Sequence, residues 1–381
     1  MARNTNGKGF SLKDHLFNKE KVQLLAKRFA AVDAHFDPKA FVKSVMADLL
    51  ELGLKERVVR ITEGLEEQLP KNFNKACKTI VAALPEPLDP NKTDDDFGDF
   101  IFAPLGEYVV RNGLQEKDVV VALRTLQEIT QRFSMEDSIR YFINAFEVQT
   151  MKELKAWVTH PNYHVRRLVS EGTRPLLPWS GRLSLAVTAP LPLLDALHAD
   201  NTRYITRSVA NHMNDIAKIE PDLVVKTLLK WRKQGKQDST ELDWMTRHSL
   251  RTLLKQGHAG ALELLGYHTK PKIIVDRFRI FPESQQVVPG DTLSFSFAVT
   301  AIQDEKLMID YVIDFVKANG QTKPKVFKLK KIDAVKGEMV IIEKHHKLLA
   351  NATTFKLYPG KHSVTLQING VQHETLDFEI K

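Results

Sequence analysis

Three arginines spaced 40 residues apart constrain the architecture of most of this chain. Arg167 lies in YHVRRLVSEGTR, Arg207 in RYITRSVANHMN and Arg247 in DWMTRHSLRTLL. Two positions before each stands an apolar residue, Val165, Ile205 or Met245, and Tyr204 of the second copy corresponds to Trp244 of the third. A period of this length on helical patterning is that of HEAT or armadillo repeats, in which paired helices bury their apolar faces only against neighbouring pairs.

Residues 1–268 read as helical. Segments such as KVQLLAKRFAAV, FVKSVMADLLELGL and VVVALRTLQEITQRF repeat apolar residues at i, i+3, i+4 and i+7, and Gly53, Pro70 and Gly113 end such runs. Residues 271–381 change period. TLSFSFAVTAI, MIDYVIDFV and SVTLQI alternate apolar and polar residues, with turn signals at Pro289-Gly290, Asn319-Gly320, Pro359-Gly360 and Asn369-Gly370. About seven short strands in such a length predict an immunoglobulin-like β-sandwich, without the cysteine pair of antibody domains. The fold class is therefore an all-α HEAT-like repeat superhelix followed by an all-β immunoglobulin-like sandwich, with the boundary near Lys270-Pro271. Residues 84–99, LPEPLDPNKTDDDFGD, read as a long loop; their aspartates lack the ligand spacing and central glycine of a calcium loop.

Composition narrows the class further. The lone cysteine, Cys77, excludes a disulfide framework or a cysteine-rich zinc site and favours the cytoplasm. The adjacent pair His345-His346 reads as part of a solvated strand or turn, so no metal or other cofactor is expected. There is no 18-residue apolar run for a membrane span, and the N-terminus lacks the layout of a signal peptide. Walker A, G-x-S-x-G and H-E-x-x-H patterns are absent. The net charge of +8 favours nucleic acid only modestly.

The arrangement of the arginines says more. Helical spacing puts Arg167, Glu171 and Arg174 on one face, with Arg207, Asn211 and Asn214 on the equivalent face of the next repeat and Arg247 and Arg251 on the third. Val165, Leu168 and Val169 occupy the opposite face and are expected in the core. Stacked repeats would align a basic ridge suited to duplex phosphates, with Arg167, Arg174, Arg207, Asn211, Asn214 and Arg247 as contacts. The run KPKVFKLKK carries five lysines in nine residues and adds Lys325, Lys328 and Lys330 as candidates for a second DNA contact. The plainer reading of such lysines is a solubilised sheet edge. The plainer reading of the arginines is pairing with a neighbouring repeat.

The segments SEGTRPLLPW and RSVANHMNDIAK resemble the signature regions of bacterial AlkC-type DNA alkylation-repair glycosylases, a HEAT-like-repeat family some of whose members carry an immunoglobulin-like C-terminal domain. The resemblance implies hydrolysis of the N-glycosidic bond of cationic alkylated bases, principally N3-methyladenine, in double-stranded DNA. It places catalytic function on Glu171, Glu136, Asp215 and Trp179. The carboxylates would stabilise an oxocarbenium-like sugar and position water, and the indole would stack on the cation. Glu136 lies in FSMEDSIRYF, which lacks the Trp/Asp pattern of AlkD-type relatives; Ser134 there is also a candidate helix cap. No obligate protein partner is implied, and a monomer is expected. The alternative function is a non-catalytic HEAT-repeat scaffold that binds DNA structures or proteins.

Overall fold

The computed structural model describes residues 11–89, 97–350 and 355–381. The expected 84–99 loop falls partly outside the described residues, since 90–96 are not among them.

Helix pairs begin where the sequence supplies caps. Asp37 accepts from the backbone amides of Lys39 and Ala40 ahead of the helix Pro38–Met46, with Pro38 in its first turn. Asn18, Asn72 and Asn162 do the same for the helices Lys19–Ala30, Phe73–Ala83 and Tyr163–Gly172. The helix Leu54–Gln68 is anchored differently. Its fully buried Arg57 donates to the carbonyls of Lys13, Phe17, Leu50 and Leu52 and to the carboxylate of Asp14.

The 40-residue repeat corresponds to the pairs Glu147–Trp157 with Tyr163–Gly172 and Leu191–Leu197 with Arg203–Ile216, and its third copy lies on the helix Ser239–Ser249. Arg167 and Arg207 stand on the second helix of each pair, and Arg247 on the helix Ser239–Ser249. Val165, Leu168, Val169, Ile205, Val209 and Met245 are all completely buried, as their face requires.

The chain forms two compact units whose boundary is not the change from helix to strand. The first comprises residues up to Ile216 together with Gln234–Met245; the second comprises Ala217–Lys233 and Thr246–Lys381. The division at Lys270-Pro271 therefore describes secondary structure and not packing. The reason lies in hydrogen bonds inside the second unit. Gln367 donates to the carbonyl of Lys255 at 3.1 Å, Asn369 to that of His268 at 2.9 Å, and His268 pairs with Glu305 at 2.8 Å. Gly257 and Gly370, both at positive φ, bring their backbones so close that a Cβ on either would lie under 3 Å from the other.

In the sandwich, β1 (Ile273–Phe281), β3 (Thr292–Ala301) and β6 (Met339–Lys347) form one antiparallel sheet in the order β1-β3-β6. The other sheet runs β2-β8-β7-β4-β5, with β2 at Gln286–Val287, β4 at Glu305–Val316, β5 at Thr322–Ala334, β7 at Gly360–Ile368 and β8 at Val371–Ile380. Phe295, Phe297, Tyr311, Ile313, Leu366 and Phe378 are among the residues that fill the core between them. His345 and His346 lie on β6, where His346 accepts or donates a 2.8 Å bond with the Tyr311 hydroxyl. Burial and neighbouring lysines push its imidazole down to about 4. The lysine run forms the edge strand β5. Lys325 lies opposite Ile313 and Lys328 opposite Asp310, and a register shift at Ile309/Asp310 sets Lys330 opposite Ile309, so the lysines do not form one continuous stripe.

Candidate active site

The helix Tyr163–Gly172 ends short of what the shared-face reading requires, with Arg174 two residues past its end. Arg174 nevertheless returns to Glu171, with Nη1 at 2.6 Å from Oε1, while its Nε donates to Asp215 Oδ2 at 2.9 Å. Arg167 Nη1 donates to Glu136 Oε2 at 2.6 Å and to Ser134 Oγ at 2.9 Å, and its Nη2 lies 3.7 Å from Glu171. Ser134 thus holds Glu136 (2.8 Å) instead of capping the helix Ser138–Ala145, whose N-cap position is Asp137.

This corrects the expected solvent-facing ridge. Arg167, Arg174, Asn214 and Asp215 are buried, because the helix Arg203–Ile216 packs across the face that carries Glu171. Charges removed from water must be paired, so the guanidiniums of Arg167 and Arg174 are engaged by carboxylates and are not presented as free phosphate contacts. Arg207 and Asn211 remain partly exposed in the first unit, and Arg247 is exposed in the second.

A pocket of about 240 Å³ opens beside this network, with Glu136, Arg167, Glu171, Arg174, Trp179, Tyr204, Arg207, Ser208 and Asn211 on its wall. Asp215 and Asn214 are not on that wall, so Asp215 acts on the pocket through Arg174. The two pocket carboxylates differ. Glu171 is 5% exposed and bonded at both oxygens, Oε1 to Arg174 and Oε2 to the Ser208 hydroxyl. Burial would raise its carboxyl, but Arg167, Arg174 and Ser208 outweigh that and hold it below the usual range. It is a fixed negative charge. The Glu136 side chain is 29% exposed and accepts both of its bonds at Oε2, which leaves it the carboxylate with access to water.

Aromatic residues complete the wall. The Arg167 guanidinium lies 4.5 Å from the ring of buried Tyr204 and 5.5 Å from that of Phe97. Burial is the largest influence on this guanidinium and opposes its charge, but Glu136 and Glu171 outweigh it and raise its pKa. Trp179 leaves the helix as expected and is 89% exposed. Its φ of 70° is left-handed, a conformation that costs a bulky residue about 1–3 kcal/mol and persists where surrounding structure enforces it.

Ser134, Ser208, Tyr204 and Phe97 escaped sequence reasoning. Only Tyr204 had a signal, its match to Trp244 in the repeat; the serines and Phe97 enter through contacts distant in sequence.

The C-terminal segment 275–381 matches the family model described as "Uncharacterised protein YhaZ, C-terminal Ig-like domain". A Bacillus subtilis (strain 168) protein called uncharacterized protein YhaZ is 33% identical over 369 residues, spanning 96% of this chain and 98% of that protein. The structure of Pseudomonas fluorescens alkylpurine DNA glycosylase AlkC, bound to DNA containing an abasic site analog, is 33% identical with a TM-score of 0.85, and the match covers 98% of this chain and 100% of that one. Stacked helix pairs followed by an immunoglobulin-like sandwich, over the whole length of both chains, define the AlkC type of helical-repeat protein. The chain belongs to the AlkC family, together with the Bacillus protein YhaZ.

Proposed function

We infer that the protein is a DNA glycosylase that hydrolyses the N-glycosidic bond of alkylated bases in duplex DNA. The full-length likeness to alkylpurine DNA glycosylase AlkC carries this reading; the pocket supplies a chemistry for it.

A cationic base such as N3-methyladenine is already a good leaving group. As its bond to C1′ breaks, the electron pair departs with the base, which becomes neutral, and positive charge develops on the sugar. Two carboxylates, Glu136 and Glu171, stand on the pocket wall, each held in place by an arginine. Carboxylates so placed favour the cation and the oxocarbenium-like transition state. Glu171 serves as the fixed anion beneath the sugar. Glu136 orients the water that adds to C1′ and accepts its proton. Trp179 stacks on the cationic base. Arg167, Arg174 and Asp215 orient the carboxylates, and Asn214 supports the same buried layer.

Arg207, Asn211 and Arg247 are the phosphate contacts of the helical repeats in this reading, and Lys325, Lys328 and Lys330 on the exposed edge strand β5 add to them. The buried free Cys77 suits the reducing cytoplasm.

The test is release of methylated bases from alkylated duplex DNA by the wild-type protein, Glu171→Gln and Glu136→Gln. The wild type should release N3-methyladenine, and each variant should be slower by about two orders of magnitude or more, the usual worth of an acid–base or electrostatic group. Duplex binding by the wild type without release would assign the protein to the non-catalytic alternative.

A further inference from the structure

Trp179 stands in the segment 173–181, which leaves the helix Tyr163–Gly172 and reaches the pocket wall at Leu177, Pro178 and Trp179. With 89% of Trp179 exposed, side-chain packing does not fix the indole. Its direction depends on the backbone, and that backbone is in the unfavourable left-handed region.

Two side chains from distant helices hold this segment. At its base is Arg140, on the helix Ser138–Ala145 and only 3% exposed. Its Nη1 donates to the carbonyls of Gly172 at 3.1 Å and Arg174 at 2.7 Å; its Nε and Nη2 both donate to that of Gly181, at 3.0 and 2.7 Å. One planar guanidinium therefore closes the segment at both ends, a geometry an ammonium does not reproduce. Asn144, one turn further along the same helix, takes the carbonyl of Arg182 at 2.9 Å. At the tip, Lys55 Nζ donates to the carbonyl of Trp179 itself at 2.6 Å. Lys55 is a firm post because it lies in the first turn of the helix Leu54–Gln68, which the buried Arg57 anchors. Pro175 and Pro178 further restrict the residues that precede them.

We propose that Arg140 and Lys55 are positioning residues for catalysis, which lock the 173–181 strap so that the Trp179 backbone, and with it the arc open to its indole, is held at the pocket wall. This rests on the glycosylase reading for its consequence in rate, and on the strap geometry alone for its consequence in indole motion. A pre-ordered strap spares the ordering of a loop when the lesion arrives. Lys55 acts on Trp179 and not on the DNA.

Arg140 is too deeply placed for a clean substitution, so the exposed Lys55 bears the test, in the full-length chain. Time-resolved fluorescence anisotropy of Trp179 is isolated by subtracting Trp179→Phe, which removes the signals of Trp157, Trp231 and Trp244. Lys55→Met should give a faster, wider motion of the indole, and Lys55→Arg should restore the wild-type decay. Single-turnover base release from alkylated duplex should fall about five-fold in Lys55→Met, the worth of one net hydrogen bond. Affinity for an unmodified duplex should hold within about two-fold, since no phosphate contact is lost. Lys55→Met/Trp179→Phe should be no slower than Trp179→Phe alone. Unchanged anisotropy overturns the strap, whatever the activity. Additive rate losses, or a drop in duplex affinity, assign Lys55 to the DNA and also overturn it. Altered anisotropy in a protein that releases no base supports the strap and refutes only the glycosylase reading.

Discussion

Arg174→Met removes an ion-pair partner from two buried carboxylates. Arg174 lies 2.6 Å from Glu171 and 2.9 Å from Asp215, and the three residues are 7%, 5% and 2% exposed. Removing one partner of a buried ion pair costs about 3–5 kcal/mol. A carboxyl near its ordinary pKa can instead take up a proton at neutral pH for about 4 kcal/mol, which sets a similar ceiling. Glu171 retains Arg167 at 3.7 Å and the Ser208 hydroxyl, so uptake of at most one proton, by Glu171, is expected. The predicted loss is about 4 kcal/mol near pH 7, or roughly 8–16 °C in Tm for a unit of this size.

The pH dependence gives this prediction its sign. In the wild type Glu171 is held below its ordinary pKa. Its stabilisation is fully present above the unfolded carboxyl value and is lost as pH falls through the lowered folded one. Without Arg174, one of the groups that lowers Glu171 is gone, burial pushes its carboxyl upward, and the folded state keeps a proton that the unfolded chain releases. The variant's stability then falls as pH rises above the ordinary carboxylate range. The gap from wild type should widen from about pH 5 to pH 8, by up to about 1.4 kcal/mol per pH unit. Urea unfolding followed by far-UV circular dichroism at several pH values measures it. A loss below about 1 kcal/mol, or a gap that stays flat with pH, would refute the reading of Arg174 as the counter-ion of both groups. Arg174→Met/Glu171→Gln/Asp215→Asn should recover at least half of the loss.

Two further outcomes follow from burial and pairing. Trp179→Gly should leave thermal stability unchanged or raise it by about 1 kcal/mol, because it relieves a left-handed backbone, while base release falls sharply; a marked loss of stability would show that the indole packs in the fold. In salt titrations of duplex binding, Arg207→Ala and Lys328→Ala should each reduce the slope of log affinity against log salt by about 1, whereas Arg167→Ala should not; an equal effect at Arg167 would mean that its pairing with Glu136 yields to phosphate.

Much of the architecture was legible in the chain because periodicity is a local record of which side faces the core. The 40-residue spacing placed Arg167, Arg207 and Arg247 on helices of a repeat, and the alternation after Lys270 marked β3, β4 and β7. The site was legible in part. Glu136, Glu171 and Trp179 share one pocket wall, whereas Asp215 lies behind Arg174. Arg140 and Lys55 gave no sign of their role, since each acts on carbonyl groups at least 32 residues away in sequence.

The sequence by itself determined the two kinds of secondary structure, the repeat and its phase, and the membership of Glu171 and Arg174 in one local motif. Those follow from forces within a turn or a strand. Only the tertiary structure decided whether the arginine face met water or another helix. The helix Arg203–Ile216 covers it, so burial forces the guanidiniums of Arg167 and Arg174 onto carboxylates. A ridge that local spacing offers to phosphates becomes, through packing, the framework that holds Glu171 charged and Glu136 at the pocket wall.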